Sequence, residues 1–419
     1  MTSLPKMVRI RQRFDSNSID DVGATVRQRL EASGILSRLK PKARVAVAAG
    51  SRGITGIAEV TRAVCQALVR AGAQPFIVPA MGSHGGATPE GQTSLLAHYG
   101  ISAEAMEAPV NASMESVLLG STPEGIAVHF SREALNADAI IAINRVKPHT
   151  DYRGQNESGI VKMLSVGFGK REGASEYHSQ AAIHGYDTVF RAGVQMVLGT
   201  GKVLCGVGLV ENAYHQTAYI EILAPETLIT QDAALLVKAR RLMPRLPIDP
   251  IDVLIVDRMG KNISGTGMDP NITGRGVHGY ILGQPVFSDA PAIHRIIVRD
   301  LTDETEGNAL GVGMADFTTR RLAEKIDWKK STINALTART PANMKLPVVC
   351  PSDSEALEMA ISSLPSRPNG LAVARIGSTL DLVDLEVSES VAQLLGARGD
   401  IEVVSSAEPM RFDGDGNLV

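Results

Sequence analysis

The sequence has few aromatic residues and cysteines, and it lacks long apolar runs. Aromatic side chains make up 4% of the 419 residues, with one tryptophan, so we expect no stacking surface for single-stranded nucleic acid. Cys65, Cys205 and Cys350 are far apart and show no CxxC spacing, which argues against a disulfide framework and a thiolate zinc site. No stretch reaches the 18 consecutive apolar residues typical of a membrane span.

The sequence also has no large excess of positive or negative charge. The formal net charge is −3, and acidic and basic residues are interspersed. This pattern indicates neither nucleic acid nor a membrane surface as a partner. The N-terminal segment MTSLPKMVRIRQRF has no apolar stretch of the kind found in secretory signals, so we expect a cytoplasmic protein.

Apolar runs alternate with segments of helical character along the chain. Residues 57–72 have the pattern of an amphipathic helix, and Thr88 followed by Pro89 is typical of a helix N-terminus. Other segments have the continuous apolar character of buried strands: residues 43–50, 74–82, 137–144, 202–210, 253–260, 294–301, 346–351, 371–376 and 401–406. The alternation predicts an α/β fold with mainly parallel sheets.

A proline-rich segment indicates a domain boundary. Residues 240–252 read RRLMPRLPIDPID, and three prolines in so short a stretch disfavour regular structure. We therefore expect an N-terminal α/β domain over residues 1–245 and a C-terminal α/β domain over residues 246–419. We further expect the active site to lie in the cleft between the two domains, with the N-terminal domain binding a cofactor and the C-terminal domain completing the substrate pocket.

Glycine-rich polar loops follow two of the predicted strands, where ligands bind in open α/β sheets. In AAGSRGITG, Ser51, Arg52 and Thr55 precede a predicted helix whose N-terminus favours a phosphate, although a tight turn with an exposed arginine would have the same sequence. In MGSHGGAT, small residues flank His84. This histidine is either an acid/base group accessible to a ligand or a turn residue with one hydrogen bond.

A third segment, residues 144–180, is predicted to be rich in loops and contains His149, Lys162 and His178. The three residues are separated by 13 and 16 positions, and no short metal-binding spacing such as HxxxH occurs. A metal site made only of protein ligands is therefore not predicted. A histidine and a lysine without such a pattern are more often structural or solvated.

The ordered set of these motifs resembles the lactate racemase family, the isomerases that use a nickel-pincer nucleotide. The motifs are AAGSRGI, MGSHGGAT, KPHTDYRG, NESGIVKMLSVG and SEYHSQ, and their order and approximate spacing agree over about residues 40–180. A weaker resemblance continues at DRMGKNISGTGMDPNITGRG. The resemblance implies a racemase or C2-epimerase of a 2-hydroxy acid.

The resemblance also implies roles for individual residues. Lys162 would carry the cofactor through a thioamide, and His178 would be the nitrogen ligand of the nickel, because the pincer ring supplies the other three ligands. His84 and His149 would be the acid/base pair. The loop that contains Ser51, Arg52, Gly53 and Thr55 would hold the nucleotide phosphate. The nearest matches to the family's substrate-binding positions are Asn271 and Arg275.

The implied chemistry is a reversible hydride transfer from C2 of the substrate to the cofactor, with one histidine on each face of the 2-oxo acid. The implied partners are a small hydroxy acid and the enzymes that synthesise the cofactor. Gly85 and Gly86 replace the Arg-Pro often found in the family, which favours a substrate larger than lactate. Two alternatives remain from the residues alone: a lyase or hydrolase without nickel that uses His84 and His149, and a non-catalytic nucleotide-binding regulator.

Overall fold

The computed structural model describes residues 4–50, 53–276, 287, 289–365 and 370–419. The chain forms two compact units. The N-terminal unit contains Asp15–His149 and Arg153–Met243. The C-terminal unit contains the described residues up to Phe14, together with Thr150–Tyr152 and Pro244–Val419.

The strands of the described residues are mostly short and apolar. In chain order they are β1 Lys6–Gln12, β2 Arg44–Ala49, β3 Gln74–Pro79, β4 Ser116–Ser121, β5 Ala127–Ser131, β6 Ala139–Arg145, β7 Val203–Glu211, β8 Thr217–Leu223, β9 Ile251–Met259, β10 Ile293–Leu301, β11 Phe317–Thr319, β12 Val348–Cys350, β13 Val373–Ile376, β14 Asp384–Ser388, β15 Ile401–Val403 and β16 Glu408–Pro409.

The helices of the described residues range from single turns to four turns. In chain order they are α1 Val22–Ala32, α2 Ile57–Arg70, α3 Pro89–His98, α4 Ala103–Met106, α5 Arg132–Leu135, α6 Ile160–Lys162, α7 Lys170–His184, α8 Tyr186–Gly199, α9 Leu228–Leu242, α10 Pro270–Thr273, α11 Arg320–Glu324, α12 Trp328–Thr337, α13 Asp353–Ser362 and α14 Glu389–Leu395. Among these helices, none has both the length and the apolar character required to cross a bilayer.

The N-terminal unit contains a five-stranded sheet in the order β3-β2-β6-β7-β8. The first four strands are parallel, and β8 pairs with β7 in the antiparallel direction. Buried apolar side chains from β2, β6 and β7 pack with those of α2 in one core cluster. Val45 and Val47 of β2 are fully buried, and burial of such side chains contributes roughly 1.5–3 kcal/mol each.

The C-terminal unit contains a larger, mixed sheet in the order β12-β11-β10-β9-β13-β14-β1-β15, with β16 paired to β1. The strands from β12 to β13 are parallel. The strands from β14 onward pair in the antiparallel direction. The first strand of the chain therefore lies inside the sheet of the C-terminal unit.

The predicted α/β fold with mainly parallel sheets is confirmed. The apolar runs predicted as strands correspond to β2, β3, β6, β7, β9, β10, β12, β13 and β15. Thr88 is the N-cap of α3, where its side chain accepts a hydrogen bond from the N–H of Gly91 and Pro89 occupies the first turn. The antiparallel strands β1, β8 and β14 were not predicted, because their apolar residues alternate with polar ones or are few.

Candidate functional site

The loops predicted to carry chemistry meet at one edge of the N-terminal sheet. Because β3, β2, β6 and β7 are parallel, their carboxyl ends lie at the same edge. The loop with Gly53 and Thr55 follows β2, the loop with His84 follows β3, and His149 lies four residues after the end of β6. Glu211 is the last residue of β7 at that same edge.

His149 and Lys162 are in direct contact. The Lys162 Nζ lies 2.5 Å from the Nε2 of His149, and both side chains are half-buried. So short a separation requires that one nitrogen donate a proton and that the other present a lone pair. The structure thus places an amine against a basic imidazole nitrogen, although 13 positions separate the two residues in the sequence.

His178 joins this pair through a tyrosine that sequence analysis did not identify. The Nδ1 of His178 lies 3.1 Å from the hydroxyl of Tyr186, which is buried. The Tyr186 ring centroid lies 5.9 Å from that of His178 and 6.3 Å from that of His149. Lys162, His149, Tyr186 and His178 therefore form one continuous group of side chains, which we call the amine–imidazole cluster.

The prediction that residues 144–180 are largely loop was wrong. Lys162 ends α6, which continues directly into a π-helical turn at Met163–Gly167, and His178 lies within α7. The polar and glycine residues of this segment suggested turns. Its apolar residues, including Ile160 and Leu164, are nevertheless buried and hold the helical turns against the unit core. A π-helical turn is frequently found at a functional site.

His84 is exposed and lies in the loop after β3, beside the helices of the cluster. The N–H of Gly82 donates to the carbonyl of Gly167 at 3.0 Å, and Gly82 also lies against Ala174 of α7. Because residues four apart share a helix face, His178 lies on the same face of α7 as Ala174. The His84 loop therefore packs on the face of α7 that carries His178.

The two glycines after His84 differ in their surroundings. Gly85 and Gly86 both have positive φ angles, 65° and 67°. A Cβ at Gly85 would lie 2.7 Å from the backbone carbon of Gly91, whereas a Cβ at Gly86 would meet no atom within 4 Å. The expectation that both glycines leave space therefore holds only for Gly86, because the backbone of α3 fills the position beside Gly85.

The loop after β2 is bound to the end of β7. The N–H of Thr55 donates to the Glu211 carboxylate at 2.9 Å, and the same carboxylate pairs with Arg145. Gly53 and Thr55 are exposed, and α2 begins without a side-chain cap. Ser51 and Arg52, which were predicted to hold a phosphate, lie outside the described residues.

Asn271 and Arg275, the two residues predicted to bind substrate, lie in the C-terminal unit and make hydrogen bonds within it. The side-chain amide of Asn271 donates to Asp269 at 2.7 Å. Arg275 forms an ion pair of 2.6 Å with Asp316 and donates to the carbonyls of residues 293 and 294. Their role in substrate binding stays a prediction.

Two buried carboxylates near the cluster were not predicted as site residues. The Glu157 carboxylate accepts the N–H of His149 at 2.6 Å, and the Asp232 carboxylate accepts the N–H of Ile160 at 2.7 Å. Burial raises the pKa of Asp232 to about 6. Glu157 lies inside the NESGIVKMLSVG motif but was not assigned a role, and Asp232 lies on α9, 72 positions beyond Ile160. Only the tertiary structure brings them together.

A buried lysine ties the end of β3 to α7. The Nζ of Lys170 donates to the carbonyl of Pro79 at 2.7 Å, and the side chain is fully buried. Desolvation lowers the pKa of the Lys170 amine to about 8. Lys170 therefore fixes the start of the helix that carries His178 to the strand that leads to His84.

The region that contains the cluster is similar to a known protein domain. A family model described as the lactate racemase N-terminal domain matches residues 9–187. A crystal structure of a protein from Thermotoga maritima is similar, with a TM-score of 0.53 and 14% identity, over 87% of this chain and 99% of that chain. The lactate racemase apoprotein from Thermoanaerobacterium thermosaccharolyticum is similar with a TM-score of 0.53 and 12% identity, over 90% of this chain and 99% of that chain. No curated protein matches the sequence.

The matched residues include His84 and all four members of the amine–imidazole cluster. The two solved structures establish a shared fold, whereas the family model matches the sequence of the region that holds these side chains. The match supports a lactate racemase-type function. Over residues 9–187, which make up less than half of its length, the chain is similar to the lactate racemase N-terminal domain.

Proposed function

We propose that the protein is a racemase or C2-epimerase of a 2-hydroxy acid that depends on a nickel-pincer nucleotide. The observation that carries the proposal is the amine–imidazole cluster, in which Lys162 contacts His149 and Tyr186 orients His178. All of these residues lie in the region that matches the lactate racemase N-terminal domain. A racemase or isomerase needs acid/base groups and a means to invert C2, and the cluster offers a base beside an attachment point.

The side chains present are chemically suited to such a cofactor. An amine held 2.5 Å from an imidazole nitrogen can lose a proton to that imidazole, and a neutral amine is the form that can be acylated. We propose that Lys162 is the attachment point. No three His, Cys, Asp or Glu side chains in the described part of the chain lie close enough to hold a metal together. A nickel ion bound through His178 would therefore take its other ligands from the cofactor.

The partners of His178 are consistent with a metal ligand. A histidine that binds a metal through one ring nitrogen commonly has the other held by a hydrogen bond, which fixes the tautomer and the ring orientation. In His178 the Nδ1 lies 3.1 Å from the Tyr186 hydroxyl. We propose that Nε2 is the nitrogen that binds the metal.

The nucleotide phosphate is proposed to lie at the loop after β2. Gly53 and Thr55 precede the N-terminus of α2, which has no side-chain cap, and a helix N-terminus favours an anion. Ser51 and Arg52 belong to the same loop in the sequence. Because the Glu211 carboxylate already accepts the N–H of Thr55, the phosphate would bind to the other donors of this loop.

We propose that His84 and His149 are the two acid/base groups. The bound cofactor would supply the acceptor and donor of the C2 hydride. One histidine takes the hydroxyl proton of the substrate, and the other returns a proton to the oxygen when the opposite enantiomer forms. Two bases are needed because the hydroxyl group of the two enantiomers points to opposite sides. His84 comes from β3 and His149 from β6, so different loops supply them.

The open position at Gly86 supports a substrate larger than lactate. A side chain at residue 86 would meet no protein atom within 4 Å, so its absence leaves space beside His84. We therefore propose a sugar acid or another extended 2-hydroxy acid. We also propose a cytoplasmic location, which the three free cysteines support because thiols stay reduced in that compartment.

Chiral chromatography tests the proposed reaction. Purified protein, co-expressed with cofactor-synthesis enzymes, is incubated in D₂O with single enantiomers of lactate and of several sugar acids. We expect inversion at C2 that keeps the original C2 hydrogen, because a hydride held on the cofactor does not exchange with solvent. Inversion with solvent deuterium at C2 would contradict hydride transfer, and activity confined to lactate would contradict the larger substrate.

A further inference from the structure

The segment between His149 and Lys162 is held by two buried carboxylates. Glu157 is one of them, and its side chain is completely buried. One of its oxygens accepts the N–H of His149 at 2.6 Å. Its other oxygen accepts the N–H of Gly154 at 3.1 Å and a guanidinium N–H of Arg240 at 2.5 Å. Glu157 thus fixes both ends of the turn that begins at His149.

Asp232 is the second carboxylate, and it holds the start of α6. It accepts the N–H of Ile160 at 2.7 Å and the side-chain amide of Asn156 at 3.0 Å. A Cβ at Gly159 would lie 2.4 Å from an Asp232 oxygen, so glycine permits this close approach. The carboxylate therefore determines where the helical turn ending in Lys162 begins.

Both contacts that hold this segment, Asp232 with Ile160 and Arg240 with Glu157, come from one face of α9. Asp232 and Arg240 are eight residues apart on this helix, which places them two turns apart on the same face. Arg240 reaches Glu157 and also donates to the carbonyl of Gly154 at 3.1 Å. The segment that joins the two reactive groups is therefore fastened at two points to a single rigid helix.

The Asp232 attachment lowers stability at neutral pH. The side chain is fully buried, and burial raises its pKa to about 6, so at pH 7 the fold contains an ionised carboxylate in a poorly solvated position. Its hydrogen-bond donors are main-chain and amide groups. A neutral residue could cap the start of α6 at a smaller cost in folding free energy. The use of a buried carboxylate therefore supports a role in positioning Lys162, two residues after the capped N–H of Ile160.

We infer that the face of α9 that carries Asp232 and Arg240 is the element that positions His149 against Lys162. Both residues are positioning residues, because they act on the main chain of the segment. The inference rests on the proposed function for its catalytic meaning, whereas the geometry it describes is a property of the protein without cofactor. Loss of this face would separate the imidazole from the amine while the sheet of the unit stays intact.

Chemical modification of histidine tests the inference in the apoprotein. Diethyl pyrocarbonate reacts with a neutral ring nitrogen, and peptide mass spectrometry gives the rate at each histidine. In the wild-type protein we expect slower modification of His149 than of the exposed His98, because the Nε2 of His149 is in contact with Lys162. Arg240→Ala should raise the His149 rate several-fold and leave the His98 rate unchanged, and Lys162→Met should raise the His149 rate in the same way.

Arg241→Ala is the matched control, because Arg241 is the adjacent arginine of α9 and is exposed. In Arg241→Ala, His149 should be modified at the wild-type rate. Arg240→Lys should slow the modification of His149 relative to Arg240→Ala, because the lysine amine can still donate to Glu157. Equal His149 rates in Arg240→Ala and Arg241→Ala would overturn the inference.

Hydrogen exchange of the wild-type apoprotein gives a test that needs no variant to fold. The N–H groups of His149, Gly154 and Ile160 all donate to buried carboxylates, so they should exchange slowly. Rapid exchange at all three would overturn the inference. Failure of the proposed function would instead appear in the holoprotein, as absence of racemisation while the apoprotein still shows these protections.

Discussion

The two units share an α/β architecture but use their charged residues differently. In the C-terminal unit, Arg299 of β10 forms ion pairs of 2.7 Å with both Asp257 and Asp353, and Arg375 of β13 pairs with the same Asp257, which lies on β9 between the two strands. Buried cations are neutralised by carboxylates there. In the N-terminal unit, Arg145 and Arg240 also pair with carboxylates, but the amine of Lys162 contacts an imidazole. The first arrangement connects β9, β10, β13 and α13, whereas the second brings two basic nitrogens together.

This difference shows how chemistry can be assigned when two units have similar sheets. A buried ion pair with several hydrogen bonds holds its partners in place and leaves no group available for proton transfer. An amine beside an imidazole contains two basic nitrogens in competition for protons, an arrangement that contributes little to stability. We therefore propose that the acid/base chemistry takes place in the N-terminal unit and that the Arg299 network stabilises the C-terminal unit.

The largest expected effect is on catalysis by the proposed acid/base pair. Replacement of His84 or His149 by alanine should lower kcat by about 10²–10⁴-fold, because each removes a proton-transfer group. Steady-state racemisation assays measure this effect. His98→Ala is the control, since His98 is exposed at the end of α3 and should retain wild-type kcat. Near-normal activity in both His84→Ala and His149→Ala would contradict the proposal that the N-terminal unit supplies the acid/base groups.

The next effect concerns the C-terminal network and should appear in stability. Arg299→Met removes the shorter of the two guanidinium contacts of the buried Asp353, 2.7 Å against 3.3 Å for Arg321, so it should lower the free energy of unfolding by up to about 3–5 kcal/mol. Arg411→Met is the matched control, because Arg411 and Glu408 form an exposed pair whose loss should cost less than about 1 kcal/mol. Urea unfolding measures both. A folded Arg299→Met protein without activity would show that this network is part of the site.

A pH-dependent effect should distinguish Asp232 from the ion-paired carboxylates. Burial raises its pKa from 3.8 to about 6, so the folded protein binds this proton more tightly than the unfolded chain. Stability is therefore lost as pH rises from about 4 to about 6, by on the order of 3 kcal/mol. The unfolding free energy of the wild type minus that of Asp232→Asn should fall by that amount between pH 4 and pH 7. If the difference in unfolding free energy stayed constant from pH 4 to pH 7, the raised pKa of Asp232 would be contradicted.

The smallest expected effect separates the two glycines beside His84. Gly85→Ala and Gly86→Ala both place a side chain at a positive φ, which costs about 1–2 kcal/mol. Gly85→Ala should cost about 1–3 kcal/mol more, because its Cβ would contact the backbone at Gly91. Thermal unfolding of the two variants measures the difference. Equal losses would mean that the turn relaxes, and the space assigned to Gly86 would then extend to both positions.

Much of the sheet structure was predictable from the sequence, because strands buried on both faces are continuous apolar runs. Val45 and Val47 in β2 are examples. The N-terminus of α3 was also predictable, since Thr88 and Pro89 act through local hydrogen bonding. The resemblance to the lactate racemase family indicated His84, His149, Lys162 and His178 as site residues.

The partners that organise the cluster could not be predicted, because tertiary structure alone brings them close. Tyr186 follows His178 by eight positions and belongs to the next helix, so no helical spacing relates the two. Asp232 is separated by 72 positions from the N–H group that it accepts. The helical conformation around Lys162 was hidden by its glycines, which indicate turns when neighbouring packing is unknown.

The most direct test of the account is the chemical state of Lys162 in the active protein. The protein is co-expressed with cofactor-synthesis enzymes, shown to racemise a 2-hydroxy acid, digested, and examined by peptide mass spectrometry and metal analysis. We predict an added mass on the peptide that contains Lys162, bound nickel, and loss of both in Lys162→Arg. Racemisation by a protein whose Lys162 is entirely unmodified would contradict the account.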